Sequence, residues 1–269
     1  MTARDGGAWA RRYGPWALVT GASSGIGQEF ARQLAARGLH VALVARRRDR
    51  LDALAGELRS AHGVEARVLA LDLSRLADVE AVAPAVADLE VGLLVNNAGF
   101  GEKGLFLETP LARHLEMLAV NARAPLALAH ALAGPMVARG RGGVIFTSST
   151  AAFQPTPYTA HYAATKGYEL QLAEALWHEL APAGVDVLAL CPGATDTEGP
   201  ARTGVDPARV PVRPMPVAPV VRTALDRLGH APVAIPGLVN RLGALATRLL
   251  PRTTAARLAG RLIRRSIGS

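Results

Sequence analysis

Short continuous apolar runs alternate along the chain with longer stretches of helical periodicity. The runs at 16–20, 40–45, 68–71, 91–95, 142–147 and 185–190 are rich in valine, leucine and alanine. That is the pattern of strands buried on both faces. Helical patterns fill the intervals: from the first turn to about Arg37, where Gly38 stops it, then 48–61 with Leu51, Leu54, Ala55 and Leu58 on one face. Others cover 76–89, which Pro84 should shorten or kink, then 110–120, 125–139 and 161–181. A further helix at 218–228 and a last strand at 232–235 complete the pattern. Strand alternating with helix, with no repeat and no dividing linker, predicts one α/β domain. The expectation is a doubly wound, mainly parallel seven-stranded sheet with helices on both faces.

The core of this domain spans about 14–237, and the chain changes character after residue 191. Pro192, Pro200, Pro207, Pro211, Pro214 and Pro216 crowd a stretch of little periodicity, so 194–216 is expected to be a loop over the sheet's carboxyl edge, a substrate lid. The tail at 238–269 carries seven arginines (241, 248, 252, 257, 261, 264 and 265) and no acid, with Leu238, Leu242, Leu245 and Leu249 on one helical face. It has two readings: docking over the substrate pocket or a neighbouring subunit, or lying on an anionic membrane as a basic amphipathic helix.

Composition narrows the function. A net charge of +8 invites a nucleic-acid reading, but the chain has only two lysines, Lys103 and Lys166, few aromatic residues and no stacking or helix-turn-helix motif. No nucleic-acid partner is expected. The single cysteine, Cys191, excludes an intramolecular disulfide and fits a reducing, cytoplasmic setting. The histidines show no ligand spacing, so no metal is expected. Arg4, Asp5, Arg11 and Arg12 precede any apolar run, which argues against a signal peptide. The longest uncharged run, 124–138, is interrupted by Pro125 and Pro135 and is too short to span a membrane.

Four motifs carry chemistry. Gly21-x-x-x-Gly25-x-Gly27 joins the first strand to the first helix. Such a turn lets a dinucleotide approach the backbone and offers helix N–H groups to its pyrophosphate. The spacing is not the common Gly-x-Gly-x-x-Gly. The second strand ends Val44-Ala45-Arg46-Arg47-Arg48 with no carboxylate before Asp49. Guanidiniums there suit a ribose 2′-phosphate, favouring NADP(H) over NAD(H), although arginines also serve as a solvated helix start. Asn96-Asn97-Ala98-Gly99 closes the fourth strand, where open α/β sheets bind ligands; paired asparagines can equally be turn formers. Tyr162 and Lys166 lie four apart on one helical face. An ammonium about 4 Å from a phenolate stabilises it by roughly 4 kcal/mol at an effective dielectric near 20, which suits an acid/base.

Taken in order, Thr20 to Gly27, Asn96 to Gly99, a lone Asn121, a serine, Tyr162-x-x-x-Lys166 and Pro192-Gly193 resemble the short-chain dehydrogenase/reductase family over roughly 16–197. The resemblance implies a Rossmann-type fold and an NADP(H)-dependent oxidoreductase interconverting a carbonyl and an alcohol by hydride transfer. It makes Tyr162 the acid/base and gives Lys166 the tyrosine and the nicotinamide ribose to hold. Ser149, thirteen residues before the tyrosine, is preferred to Ser148 for polarising the carbonyl, and Asn121 would anchor a proton relay. The cofactor would meet Gly21, Ser23, Ser24, Gly25, Ile26 and Gly27, then Asp72 and Leu73, then Asn97, Ala98 and Gly99, and finally Pro192, Gly193, Thr195 and Thr197. Family members that prefer NADP use the position of Arg46 for the 2′-phosphate. Ser24 stands where some carry a second basic residue, so recognition would rest on Arg46 and Arg47.

Phe153 and Tyr158, with Ser149 and Tyr162, would line the substrate site beside Phe100, Leu105 and Phe106, pointing to an apolar ketone, aldehyde or secondary alcohol. The competing reading is that these aromatics pack the core. Helices 110–139 and 161–181 are poor in charge, and the family pairs them, so a homodimer or homotetramer is expected. A catalytically silent NADP-binding scaffold is the rival function. The complete Asn121, Ser149, Tyr162 and Lys166 set favours the enzyme.

Overall fold

A computed structural model describes residues 3–198 and 214–267. Strands β1 (Trp16–Thr20), β2 (His40–Ala45), β3 (Ala66–Ala70), β4 (Val91–Asn96), β5 (Gly142–Thr147), β6 (Val185–Leu190) and β7 (Val233–Ala234) form one sheet in the order β3-β2-β1-β4-β5-β6-β7. All six pairings are parallel. The order reverses between β1 and β4, so their carboxyl ends open a crevice at a topological switch point.

Alternate strand residues feed two cores. Ala17, Val19, Val41 and Leu43 meet α2 (Gly25–Ala35), α3 (Arg48–His62) and α8 (Val217–Arg227) through Phe30, Leu34, Leu54, Leu58 and Val221. Leu18, Ala42, Val44 and Phe146 meet α4 (Leu76–Val82), α6 (Ala124–Arg139) and α7 (Ala160–Leu180). Burial on both faces explains why the strands read as largely apolar runs, with His40, Arg67 and Asp186 as the interruptions.

The first helix, α1 (Ala3–Tyr13), has no counterpart in the sequence reading, because Gly6 and Gly7 break its apolar periodicity. Tertiary anchors hold its end instead: the Tyr13 hydroxyl and Arg12 Nε each donate to Asp186 Oδ2 on β6 at 2.6 Å. Burial first, and then the Asp186 carboxylate, push the Tyr13 phenol well up, so it stays a donor. Pro84 ends α4 at Val82 and starts a 3-10 turn, Pro84–Val86. The stretches at 110–120 and 125–139 are one continuous helical run: α5 (Leu111–Leu118) passes through a π-helical turn, Ala119–Arg123, into α6. Such turns mark functional sites more often than chance, and this one carries Asn121.

Pro251 divides the tail into α9 (Leu238–Leu249) and α10 (Arg252–Ile267). Most of the expected lid, 199–213, lies outside the described residues. Its flanks are tied by a parallel bridge between Thr195 and Met215, with Met215 N to Ala194 O at 2.9 Å and Asp196 N to Met215 O at 2.8 Å. Among the described residues no helix is long and apolar enough to cross a membrane.

Candidate active site

The glycine turn is built to be close-packed. Gly21 has φ +67°, and a Cβ there would lie 2.8 Å from Asn97 Nδ2 and 2.9 Å from the Ala98 Cα. Gly25, at φ +56°, would place one 3.0 Å from Thr197 Cγ2. Only glycine meets both demands of left-handed backbone and close approach. The turn leaves the first amides of α2, including Ile26 and Gly27, without intrahelical partners, and Ser24 at the N-cap supplies no side-chain cap. Thr20 locks this turn to the next strand: its Oγ1 accepts from the Asn97 and Ala98 amides at 2.9 and 3.0 Å, and Asn97 Nδ2 returns a bond to Thr20 O at 3.0 Å.

Arg47, the N-cap of α3, reaches across the turn. Its Nη2 donates to Ser24 Oγ at 2.8 Å and Ser23 Oγ at 3.0 Å, and its Nη1 meets Glu198 at 2.9 Å. Glu198 also pairs with Arg50, and these two guanidiniums, Arg50 first, hold its carboxyl down to about 2. Arg46 points elsewhere, its side chain 60% exposed and 3.7 Å from Glu116. These donors, the glycine turn and the free amides fit a phosphorylated dinucleotide, and Arg47 is the guanidinium nearest the turn.

Farther along the crevice, Asp72 Oδ1 accepts from Ser74 N at 3.0 Å, while the Leu73 side chain is buried in the second core. Leu73 therefore offers a ligand only its backbone. Beyond β6, Pro192 O accepts from Thr150 N at 3.0 Å, and the hydroxyl of buried Thr195 donates to Gly193 O at 3.0 Å. A Cβ on Gly193 would collide with Asn240 of α9. The buried Cys191 thiol is pushed up to about 12, by burial first, and is not a nucleophile.

Asn121, Lys166 and Tyr162 close around the 99–101 backbone. A Cβ on Gly99 would sit 3.2 Å from both Asn121 Oδ1 and Lys166 Nζ, and one on Gly101 would sit 3.0 Å from the Tyr162 ring. The π turn aims the Asn121 amide inward. Its Oδ1 accepts from Phe100 N at 3.1 Å, and its Nδ2 donates to Phe100 O at 2.9 Å and Thr165 Oγ1 at 3.1 Å. Ser148 and Ser149 differ in employment. The buried Ser148 hydroxyl donates to Lys166 O at 2.7 Å, whereas half-buried Ser149 accepts from Ala151 N at 3.1 Å and keeps its proton available.

Lys166 is 4% exposed, its ammonium donating to Thr147 O and to Glu169 Oε2, both at 2.8 Å. Burial works against that charge, but Glu169 and then Tyr162 outweigh it, and the net shift is upward. Glu169 is 1% exposed; burial raises its carboxyl to about 7 against the pull of Lys166. The sequence reading did not single out Glu169. Its signal was an acid one turn beyond Lys166, with apolar neighbours Leu170 and Ala173 buried beside it.

A mostly apolar cavity of about 240 Å³ adjoins Tyr162, lined by Leu105, Phe106, His114, Met117 and Tyr158, with Glu102 at its edge. Phe106 stacks on His114 at 4.6 Å. Tyr158 therefore faces this space, whereas Phe153 packs against the second core and lies 5.9 Å beneath the Arg248 guanidinium. Phe100 lies under Arg113 at 4.1 Å. The tail also bounds this end of the site: Gly260 on α10 packs on Pro157.

Residues 15–206 match the family model described as short chain dehydrogenase. The chain is 40% identical over 185 residues to a very-long-chain 3-oxoacyl-CoA reductase of Podospora anserina, covering 66% of this chain and 54% of that protein. It thus spans about half the length of that relative. It is 32% identical over 230 residues to a 7beta-hydroxysteroid dehydrogenase of Clostridium sardiniense, covering 86% and 88% of the two chains. A short-chain dehydrogenase from Sphingobium yanoikuyae, solved in complex with NADPH, superposes with a TM-score of 0.79 at 38% identity, covering 87% of this chain and 93% of that one. The match runs through the strands, turns and helix that shape the crevice, and the chain belongs to the short-chain dehydrogenase family.

Proposed function

We propose that the protein is an NADP(H)-dependent oxidoreductase that interconverts an apolar carbonyl compound and its alcohol, with Tyr162 as acid/base. The observation that carries this reading is the convergence of Asn121, Tyr162 and Lys166 on the 99–101 backbone, at the switch point where Arg47 spans the glycine turn. NADPH, when bound, supplies the hydride. The Ser149 hydroxyl donates to the substrate oxygen, and Tyr162 gives that oxygen its proton. Each such donor lowers the barrier by about 3–4 kcal/mol as charge develops. Lys166 stabilises the phenolate left behind. The Asn121 amide, fixed by Phe100 and Thr165, holds the route by which the proton is replaced. The Podospora and Clostridium relatives act on long acyl chains and steroids by their names, and the apolar cavity suits bulky apolar groups of that kind.

A spectrophotometric screen of ketones, aldehydes and secondary alcohols with NADPH and NADH tests the whole reading. Tight NADPH binding without turnover of any of them would favour the silent scaffold. Cofactor preference has its own test. Arg47→Ala is expected to weaken NADPH binding 10- to 100-fold, the worth of a charge-assisted phosphate contact, while NADH binding changes less than twofold. Arg46→Ala should discriminate in the same direction by a smaller factor, since that side chain is exposed and faces Glu116. Calorimetric titration with both nucleotides reads each outcome.

Two surfaces complete the proposal. Leu111, Leu115, Leu118 and Leu126 are exposed on α5 and α6, and this face would join copies into a dimer or tetramer. Leu238, Leu242, Leu245 and Leu249 form a stripe on α9, all more than half exposed. A second copy meeting that face would bring the same acid-free, arginine-rich helices together, so an anionic lipid surface is the better complement. Flotation with vesicles containing phosphatidylserine should carry the protein upward at low salt and lose it with Leu242→Glu/Leu249→Glu. No flotation at low salt retires the membrane contact.

A further inference from the structure

Among the described residues, Glu169 is the one buried carboxylate in contact with the catalytic side chains, and the proposed reaction gives it no task. Its Oε2 lies 2.8 Å from Lys166 Nζ, one helical turn along α7, and both side chains are almost fully enclosed. The ammonium has three donors. One is held by Thr147 O at the end of β5, one by Glu169, and the third is left for the crevice beside Gly99. Two fixed acceptors on opposite elements determine where the nitrogen sits. They also determine what Tyr162 feels, because an ammonium with a carboxylate at contact distance acts as a dipole rather than as a full charge.

We propose that Glu169 is a positioning residue for the reaction: it fixes the Lys166 ammonium in the floor of the site and, as its counter-charge, weakens that ammonium's stabilisation of the Tyr162 phenolate. The inference rests on the reading of Tyr162 as the acid/base. Its chemistry is electrostatic and moves no further group.

No other ionisable group competes for this role among the described residues. Lys166 and Tyr162 lie on the same helix, and Cys191 beyond β6 stays a neutral thiol, raised by burial and by Glu169 and Glu174. β5 and the turn at Thr150–Phe153 carry no titratable side chain. Asp186 on β6 is held by Arg12 and Tyr13. Arg123 on the π turn donates to Ser74 O. On α5, His114 stacks on Phe106, and Arg113 is paired with Glu102 and Glu116. Lys103, in the loop after β4, has its charge disfavoured by burial.

The test reads Tyr162 without substrate. Phenolate absorbance near 295 nm is titrated in the full chain for the wild type and for Glu169→Gln, each against its own Tyr162→Phe partner, so that the difference isolates this tyrosine. Removing the counter-charge should move the Tyr162 step to lower pH by about one unit, roughly a tenfold change in proton affinity. The pH profile of kcat/KM for alcohol oxidation should follow it. Glu169→Asp, which keeps the charge but draws it back by one methylene, should fall between, and it carries the test if the glutamine variant does not fold. Steps that coincide within about 0.2 unit across wild type and variant overturn the proposal. A protein that turns over no carbonyl yet shows the shifted step loses the proposed reaction and keeps the coupling.

Discussion

Tyr162→Phe should lower kcat for any carbonyl the protein reduces about a thousandfold, the scale of a lost general acid, and leave the Kd for NADPH within twofold. The ring stays, packed beside Gly101, so only the hydroxyl is removed and the crevice keeps its shape. The nucleotide contacts assigned to the glycine turn, Arg47 and Asn97 are untouched. Ser149→Ala should cost about a hundredfold, the loss of one polarising donor. The two should be far from additive, because in the proposed reaction both act on the same oxygen and the second loss finds little left to remove. Stopped-flow turnover beside equilibrium NADPH binding separates the effects. Wild-type rates in Tyr162→Phe would show that the proton comes from elsewhere, and a parallel collapse of NADPH binding would show that the residue is structural.

The sheet was legible because both its faces are covered. With little polar alternation to confuse the pattern, most strands are nearly bare apolar runs, Arg67 and Asp186 being exceptions, and the first βα turn carries its own glycine punctuation. Legibility failed where tertiary contact overrides local preference. α1 forms although Gly6 and Gly7 weaken it, since Tyr13 and Arg12 find Asp186 about 170 residues away in sequence. The break expected between 120 and 125 closes into a π turn, which leaves room for Pro125 and turns Asn121 inward. The tail's leucine stripe predicted one helix, and Pro251 makes it two.

Individual candidate residues were legible in the sequence to the extent that spacing alone defines them. Tyr162 and Lys166 share a face by helix geometry, and the glycines announce themselves. Three arginines in a row do not say which one turns inward. That depends on Arg47 standing at the helix N-cap with φ −87° and ψ 90°, one residue beyond the end of β2. Spacing to Tyr162 already prefers Ser149 to Ser148; the fold adds the physical reason, the Lys166 carbonyl that occupies the first hydroxyl. Glu169 stayed invisible because an acid in a helix is normally read as a solvated position. Only the fold shows that its turn of α7 lies against β5 and β6, where no water reaches it.

That burial makes Lys166 the position where a single substitution should cost most in both stability and turnover. Lys166→Leu removes the ammonium and leaves Glu169 enclosed with no counter-charge, a change worth about 3–5 kcal/mol when the remaining group is ionised. The sign of its pH dependence comes from the carboxyl. Glu169 titrates at about 7 in the folded chain against an ordinary 4.5, so the folded state holds this proton more tightly than the unfolded one. Its contribution to stability is complete below about 4.5 and is lost as pH rises through about 7. Without Lys166 the folded carboxyl holds its proton to still higher pH, so the loss continues where the wild type levels off. The Tm deficit of Lys166→Leu should therefore change little between pH 5 and about 7 and open as pH rises from about 7 to 8. Lys166→Leu/Glu169→Leu should recover most of that stability at pH 8, because replacing a whole buried pair by apolar groups is often neutral, and it should stay inactive because the ammonium is gone. Calorimetric melting at both pH values, beside turnover, checks the three forms together. A deficit independent of pH would mean that Glu169 is not the group left stranded.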